Sequence, residues 1–137
     1  MVFQGKEQTF KKTYAKELLA IAFGDLESAK GLQSSNRGRP ENVCYLAHQV
    51  IEKSLKAVLI WKQIPFPLIH DANALVAKLP ALDHPPHGYD LGELNQFATV
   101  RRYEEGAVEL SKEMIQNAVN IAEEIWNWAS KKITVEK

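Results

Sequence analysis

Three side chains suited to proton transfer or phosphate binding recur at four-residue steps, namely His48, Glu52 and Lys56. On a helix this spacing places them one above another, with Gln49 and Lys53 alongside. In one interpretation Lys53 or Lys56 neutralises a phosphate group, while His48 or Gln49 donates hydrogen bonds to it. In the other, this polar strip is a solvated face in which Glu52 and Lys56 form an exposed ion pair, contributing about 0.3–0.5 kcal/mol.

A second group with anion-binding chemistry is Arg101-Arg102-Tyr103. Adjacent guanidinium groups offer several planar hydrogen-bond donors to phosphate, and a tyrosine ring offers a face on which a base can stack. The alternative is structural. One arginine then pairs with Glu104, Glu105 or a carboxylate on another helix, and Tyr103 packs on the end of the fold.

A metal site is a separate possibility, because His48 and Glu52 could form half of one and His70, His84 or His87 could complete it. His84 and His87 are more simply part of a flexible Pro-Pro loop, and His70 a helix-start residue hydrogen-bonded locally, with His70 or Asp71 as the cap. We therefore expect no metal and no cofactor. A phosphate-cradling glycine loop, a CxxC pair and a nucleophile elbow are all missing, which leaves standard nucleotide hydrolases and redox enzymes without support.

The polar strip lies on a predicted helix from Pro40 to Lys62. Pro40 suits the first turn, where the N–H it lacks would have no helical partner, and Pro65 and Pro67 prevent continuation. The opposite side is broad and apolar, formed by Val43, Leu46, Ala47, Val50, Ile51, Ser54, Leu55, Ala57, Val58 and Trp61. A face of that width predicts a central helix packed against several neighbours.

Apolar residues recurring every three or four positions predict four further helices. These span residues 9–33, 72–79, 91–100 and 111–132. The short SSNRGR turn at 34–39 makes the first two helices antiparallel neighbours. Because no stretch alternates with period two, no sheet is expected. The predicted fold class is all-α, an antiparallel up-and-down bundle of about five helices, three long and two short.

Composition is that of an ordinary globular chain, with 45% hydrophobic and 25% charged residues. Seventeen basic and seventeen acidic residues cancel, so no overall field attracts nucleic acid. Residues 1–8 are expected to be a disordered N-terminus or tag remnant, and residues 9–137 one helical bundle domain. No secretory signal pattern or membrane-length apolar run occurs, and the single Cys44 is expected to be a buried hydrophobe. We expect a cytoplasmic protein without membrane association.

The last predicted helix has more apolar surface than one buried stripe requires. Met114, Ile121 and Trp128 recur at seven-residue spacing to one side of the main stripe. They either meet neighbouring helices within the monomer or form the interface of a homodimer, since a Trp and an Ile facing water would make an exposed apolar patch.

The order of three motifs resembles that of one known family. HQxxEKxxK at 48–56, His70-Asp71 and Arg101-Arg102-Tyr103 are similar in order to the pattern of the HEPN family, over roughly residues 10 to 132. HEPN domains are small all-helical domains whose name refers to nucleotide binding. The resemblance implies a frequently dimeric domain, often encoded beside a small nucleotidyltransferase in pairs resembling toxin–antitoxin systems.

The ribonucleases of that family resemble one another in an Arg followed about four to six residues later by a His, a pair able to bind the scissile phosphate and shuttle a proton. Here no histidine follows His87. We therefore expect a non-catalytic module that binds a nucleotide, an RNA-like anion or a partner such as a minimal nucleotidyltransferase. The alternative is an RNase or nucleotidyl-transfer component that uses His48, Glu52 and Arg102 in a non-standard arrangement.

Overall fold

A computed structural model describes residues 7–97 and 110–135. Within these ranges the elements are β1 (Glu7–Gln8), α1 (Tyr14–Ser35), α2 (Pro40–Trp61), β2 (Phe66–Pro67), α3 (Ala72–Lys78), a 3₁₀ turn (Ala81–Asp83), a 3₁₀ segment (Gly88–Phe97) and α4 (Lys112–Val135). The all-α prediction is confirmed, with α1, α2 and α4 as the three long helices. None of the helices described is both long enough and apolar enough to cross a membrane.

The turn between α1 and α2 reverses the chain through left-handed backbone conformations. Asn36 has φ 57° and Gly38 has φ 74°, a region that asparagine and glycine enter at the least steric cost. Helix α2 then begins at Pro40, after the extended residue Arg39. The residue types that predicted the break therefore also produce its geometry.

Helix α2 is the centre of the core, as its broad apolar face predicted. Its fully buried side chains include Ala47, Val50, Ile51, Leu55, Ala57, Val58 and Leu59. Burying each large aliphatic side chain contributes roughly 1.5–3 kcal/mol before the entropic cost of folding is subtracted. Helices α1 and α4 cover most of this face, so α2 has neighbours on several sides.

Helix α4 runs antiparallel to α1 and packs on both α1 and α2. Near its N-terminus, Gln116 accepts a hydrogen bond from Gln33 at 2.8 Å, and further along Trp126 Nε1 donates to the Leu19 carbonyl at 2.9 Å. The stripe predicted to face the core is buried at Ala118, Val119, Ala122, Ile125, Ala129 and Ile133. The other two stripe residues, Ile115 and Trp126, are half-buried.

The predicted fourth helix is observed as the 3₁₀ segment Gly88–Phe97, and residues 98–100 lie outside the described ranges. This segment passes very close to α3. A Cβ added at Gly92 would lie only 2.1 Å from Nδ2 of Asn73. Glycine is therefore the residue that permits this approach.

A two-residue antiparallel ladder joins β1 to β2, with Glu7 opposite Pro67 and Gln8 opposite Phe66. It is too short to add a layer to the helical bundle. It does place Glu7 and Gln8 in a paired segment, although they fall within the stretch expected to be disordered. Phe10 follows this strand and stacks on Phe66, with ring centroids 5.8 Å apart.

Cys44 lies on the buried side of α2, as predicted. Burial raises the pKa of its thiol to about 12, and the nearby Glu41 carboxylate adds to the effect. The thiol therefore stays protonated near neutral pH and behaves as a small hydrophobic side chain.

Candidate functional site

Five polar side chains from three segments meet on one side of α2. His48, Glu52 and Lys56 come from α2, His70 precedes α3, and Asn95 belongs to the 3₁₀ segment. Glu52 Oε1 lies 2.8 Å from His70 Nδ1, and Glu52 Oε2 accepts from Lys56 Nζ at 2.7 Å. His48 Nε2 lies 3.2 Å from Asn95 Oδ1. We refer to these five residues as the Glu52 cluster.

The two central members of the cluster are buried, with His48 1% and Glu52 3% exposed. The prediction of a solvated strip is therefore wrong for these residues, and the Glu52–Lys56 pair is not an exposed one. The cause is tertiary, because the start of α3 and the 3₁₀ segment cover this side of α2. Helical periodicity defines a polar side but carries no information about which distant segment packs over it.

The hydrogen bonds around Asn95 determine which nitrogen of His48 carries the proton. Asn95 Nδ2 donates to Asp71 Oδ1 at 2.9 Å, and Asn95 Oδ1 accepts from the Ala72 N–H at 3.0 Å. The atom facing His48 is therefore an acceptor, so Nε2 of His48 must be the donor. Nδ1 then carries no proton. It has no hydrogen-bond partner among the described residues and lies 3.9 Å from Glu52 Oε1.

Burial lowers the pKa of His48 from its ordinary value of 6.5, because the charged imidazolium would lose its hydration. The hydrogen bond to Asn95 and the charge of Glu52 oppose this effect but are smaller contributions. His48 is therefore neutral near pH 7. It does not supply a positive charge for phosphate.

The His70-Asp71 pair is attached to the bundle through both residues. Asp71 Oδ1 accepts from the Asn73 N–H at 3.0 Å, so Asp71 is the N-cap of α3. The same carboxylate binds Asn95. The prediction that His70 hydrogen-bonds locally is wrong, because its partner is Glu52, 18 residues earlier.

The two lysines of the strip are already neutralised. Lys56 binds Glu52, and Lys53 Nζ lies 2.6 Å from Asp25 Oδ2 on α1. Gln49 is half-buried beside them. A phosphate at this strip would have to displace a carboxylate from each lysine, which makes the strip a weak anion site as it stands.

The remaining predicted residues are placed differently. Arg101, Arg102 and Tyr103 lie outside the described residues. Met114, Ile121 and Trp128 are half-buried, and each packs against the main core along one edge. The structure thus unites His48, Glu52 and Lys56 and leaves the apolar trio partly accessible.

The other histidines do not join His48 and Glu52. His84 Nε2 lies 3.2 Å from the Leu79 carbonyl oxygen, and His87 Nε2 lies 3.2 Å from Glu124 Oε2. Across residues 7–97 and 110–135, no group of three or more His, Cys, Asp or Glu side chains could hold a metal ion.

A groove that the sequence did not reveal lies between the α1–α2 turn and the start of α4. Its volume is about 660 Å³. Leu32, Val43 and Ile115 provide its apolar lining, and Arg37 and Lys112 its cationic one. Glu113 is the carboxylate among the residues that line it. Arg37 within the SSNRGR turn was the available signal, but only the packing of α4 against that turn creates the groove.

A family model described as the HEPN domain matches residues 15–133, from the first turn of α1 to the last turn of α4. The searches of curated proteins and of solved structures gave no significant match.

Proposed function

The chain belongs to the HEPN domain family, and from that premise we propose that it is a non-catalytic module that binds a nucleotide or an RNA-like anion. The family also implies a partner protein as the alternative to a small anion. It would be a minimal nucleotidyltransferase in a pair that resembles a toxin–antitoxin system. The charge of the groove favours the small anion.

The observation that carries the proposal is the charge of the groove. Lys53 and Lys56 are paired with carboxylates, whereas neither Arg37 nor Lys112 forms an ion pair within residues 7–97 and 110–135. Both line the groove, and a phosphate could bind them without displacing a carboxylate. The apolar lining gives a base or sugar a surface to pack on, and the volume falls within the roughly 300–1,000 Å³ common for small-molecule sites.

The two groups identified from the sequence then have different roles. The Glu52 cluster has a structural role and holds α3 and the 3₁₀ segment on α2. Arg101, Arg102 and Tyr103 are proposed as further contacts to the anion, because two guanidinium groups and an aromatic ring suit a phosphate and a base. Of the Glu52 cluster, His70 is the most exposed member, with 66% of its side chain accessible.

Calorimetric titration with ATP and with a short RNA at low salt tests the proposal. Arg37→Ala and Lys112→Ala should each weaken ATP binding by about tenfold or more, because a charge-assisted hydrogen bond contributes roughly 1.5–3 kcal/mol. Arg102→Ala should weaken it as well. Lys131→Ala is the matched control, since Lys131 is an exposed lysine elsewhere on α4. Failure of ATP to bind, or equal effects of Lys112→Ala and Lys131→Ala on ATP binding, would refute the proposal.

One observation favours the catalytic alternative. The buried Glu52 carboxylate holds Nδ1 of the exposed His70, and Nε2 of His70 makes no hydrogen bond within the described residues. A carboxylate-oriented imidazole with an available nitrogen is the arrangement of a general base. RNA cleavage that is abolished by His70→Ala would support this alternative over a binding module.

We also propose that the module is a homodimer through Met114, Ile121 and Trp128. These residues share one side of α4, and each keeps part of its surface exposed. Covering that surface with a second copy would remove apolar area from water.

A further inference from the structure

A basic and aromatic surface lies where α1 begins and α2 ends. Lys12 Nζ lies 4.5 Å from the centroid of the Trp61 ring, and Lys16 Nζ lies 5.6 Å from it. Lys11 directly precedes Lys12 in the sequence, and the half-buried Tyr14 lies two residues after Lys12. We refer to Lys11, Lys12, Lys16, Tyr14 and Trp61 as the Lys–Trp61 surface.

No carboxylate among the described side chains forms an ion pair with the lysines of this surface. Lys30, Lys53, Lys56 and Lys132 each pair with a carboxylate, whereas Lys11, Lys12 and Lys16 form no ion pair within the described ranges. Glu17 is the one acidic residue in the first turn of α1. Three lysines without an ion pair among the described residues form a local positive patch on a chain whose formal charge is zero overall.

Helix stability does not explain these lysines. Cations are unfavourable near the N-terminus of a helix, where the backbone N–H groups already carry partial positive charge. The contacts of Lys12 and Lys16 with Trp61 contribute about 0.5–1 kcal/mol each at an exposed site. Lys11 makes no such contact with a ring of the described residues. The three lysines lower the stability of the helix, and Lys11 does not contact the Trp61 ring. Their presence together is consistent with binding of an external anion.

We propose that the Lys–Trp61 surface binds the backbone of a single-stranded nucleic acid, with phosphates on the lysines and a base against the accessible part of Tyr14 or Trp61. Both amines lie within 5.6 Å of the centroid of one ring, and a positively charged surface with aromatic side chains is the usual platform for single strands. An anionic membrane fits less well. Membrane surfaces are bound through protruding apolar side chains, whereas Phe10, Tyr14 and Trp61 are half-buried against the core.

This surface is separate from the groove proposed above. The groove lies at the end of α1 and the start of α2, whereas the Lys–Trp61 surface lies at the opposite ends of both helices. A helix of 22 residues is about 33 Å long, so a mononucleotide in the groove cannot reach these lysines. The inference therefore goes beyond the proposed function and can fail independently of it.

The test is fluorescence anisotropy with a labelled oligouridylate of about 12 nucleotides over a range of salt concentrations, with ATP titrated in parallel. The logarithm of the association constant should fall linearly with the logarithm of salt concentration, with a slope of about −0.7 for each phosphate contact. The combined Lys11→Gln, Lys12→Gln, Lys16→Gln variant should lose about two units of slope and bind the oligonucleotide at least tenfold more weakly. Its ATP binding should not change.

Further variants separate recognition from structure. Lys12→Arg with Lys16→Arg keeps the charges and should keep the slope, and Lys131→Gln is a single-charge control for Lys11→Gln. If the triple variant does not fold, Lys11→Gln alone should still reduce the slope by about 0.7, since Lys11 is not on the ring. The inference is overturned if the oligonucleotide does not bind, if the slope is unchanged while thermal stability falls, or if only phosphatidylserine vesicles bind.

Discussion

Nδ1 of His70 lies 2.8 Å from Oε1 of Glu52. The two residues are 18 positions apart in sequence, and helical periodicity does not predict a contact between them. The carboxylate is almost fully buried, whereas the imidazole is mostly exposed. Glu52 also binds Lys56, so one buried charge holds the start of α3 against α2 and anchors a lysine. Glutamine has nearly the same volume as glutamate but no charge, so Glu52→Gln tests the role of the charge alone.

Glu52→Gln should destabilise the protein by about 3 kcal/mol or more, because it leaves the largely buried Lys56 without its counter-charge. Urea unfolding followed by circular dichroism measures the change. Glu123→Gln is the control, since Glu123 also binds a lysine at 2.7 Å but has 46% of its side chain exposed. Its effect should stay below about 1 kcal/mol. Equal effects of the two substitutions would show that burial of Glu52 does not matter.

His48 should make stability depend on pH. Its pKa is lowered by burial, so on acidification the unfolded chain takes up the proton first, near the ordinary value of 6.5. The free energy of unfolding should therefore decrease as pH falls below about 6.5, with a slope of at most about 1.4 kcal/mol per pH unit from this residue. The loss should level off below the folded-state pKa.

The comparison variant is His48→Gln, whose amide can still donate to Asn95. Urea midpoints between about pH 5 and pH 8 should fall less steeply for this variant than for the wild type. Parallel profiles for the two proteins would mean that His48 is equally protonated in the folded and unfolded states.

Asn95→Ala should weaken the packing of the start of α3 and of the 3₁₀ segment on α2 without unfolding the bundle. The substitution removes the acceptor for Ala72 N–H and for His48 Nε2, and each buried group left unpaired costs about 1–3 kcal/mol. Hydrogen exchange should accelerate at Ala72 and Asn73 before it accelerates in the middle of α2. Asn127→Ala, at an exposed position of α4, should leave exchange unchanged both at Ala72 and Asn73 and in the middle of α2. Uniform acceleration throughout the chain would contradict a local role.

Glu113→Gln should strengthen nucleotide binding. Glu113 lines the groove together with Arg37 and Lys112, so its carboxylate repels a bound phosphate. Removing this charge should tighten ATP binding by a few-fold, with a smaller gain at high salt because exposed charges are screened. Glu124→Gln, on the same helix outside the groove, should have no effect. Weaker binding in Glu113→Gln would place the anion elsewhere.

Ile121→Lys should convert the proposed homodimer to a monomer. The side chain is half-buried, so the monomer can tolerate a lysine whose stem lies along the surface and whose amine reaches water. Light scattering should give twice 15.5 kDa for the wild type and 15.5 kDa for the variant. Ile21→Lys, an exposed position on α1, is the control. A wild-type protein that is already monomeric would exclude this interface.

The local architecture could be predicted from the sequence because its causes are local. Pro40 and the SSNRGR turn define where α2 begins, and the three- and four-residue apolar steps of α2 and α4 identify the sides that are buried. Asp71 was predicted as a possible cap because its side chain needs only the backbone two residues later. The same reasoning grouped His48, Glu52 and Lys56 on one side of a helix.

What the tertiary structure decided is how those groups are used. Whether His48 and Glu52 face water depends on the 3₁₀ segment about 45 residues away, and the partner of His70 depends on how α3 docks. The groove exists because α4 returns to the α1–α2 turn, and the opposite end gathers Lys12 and Lys16 over Trp61. Helical periodicity is set by backbone geometry and can be read from the chain. Burial, ion pairing and cavities are set by contacts between distant segments, which no local pattern encodes.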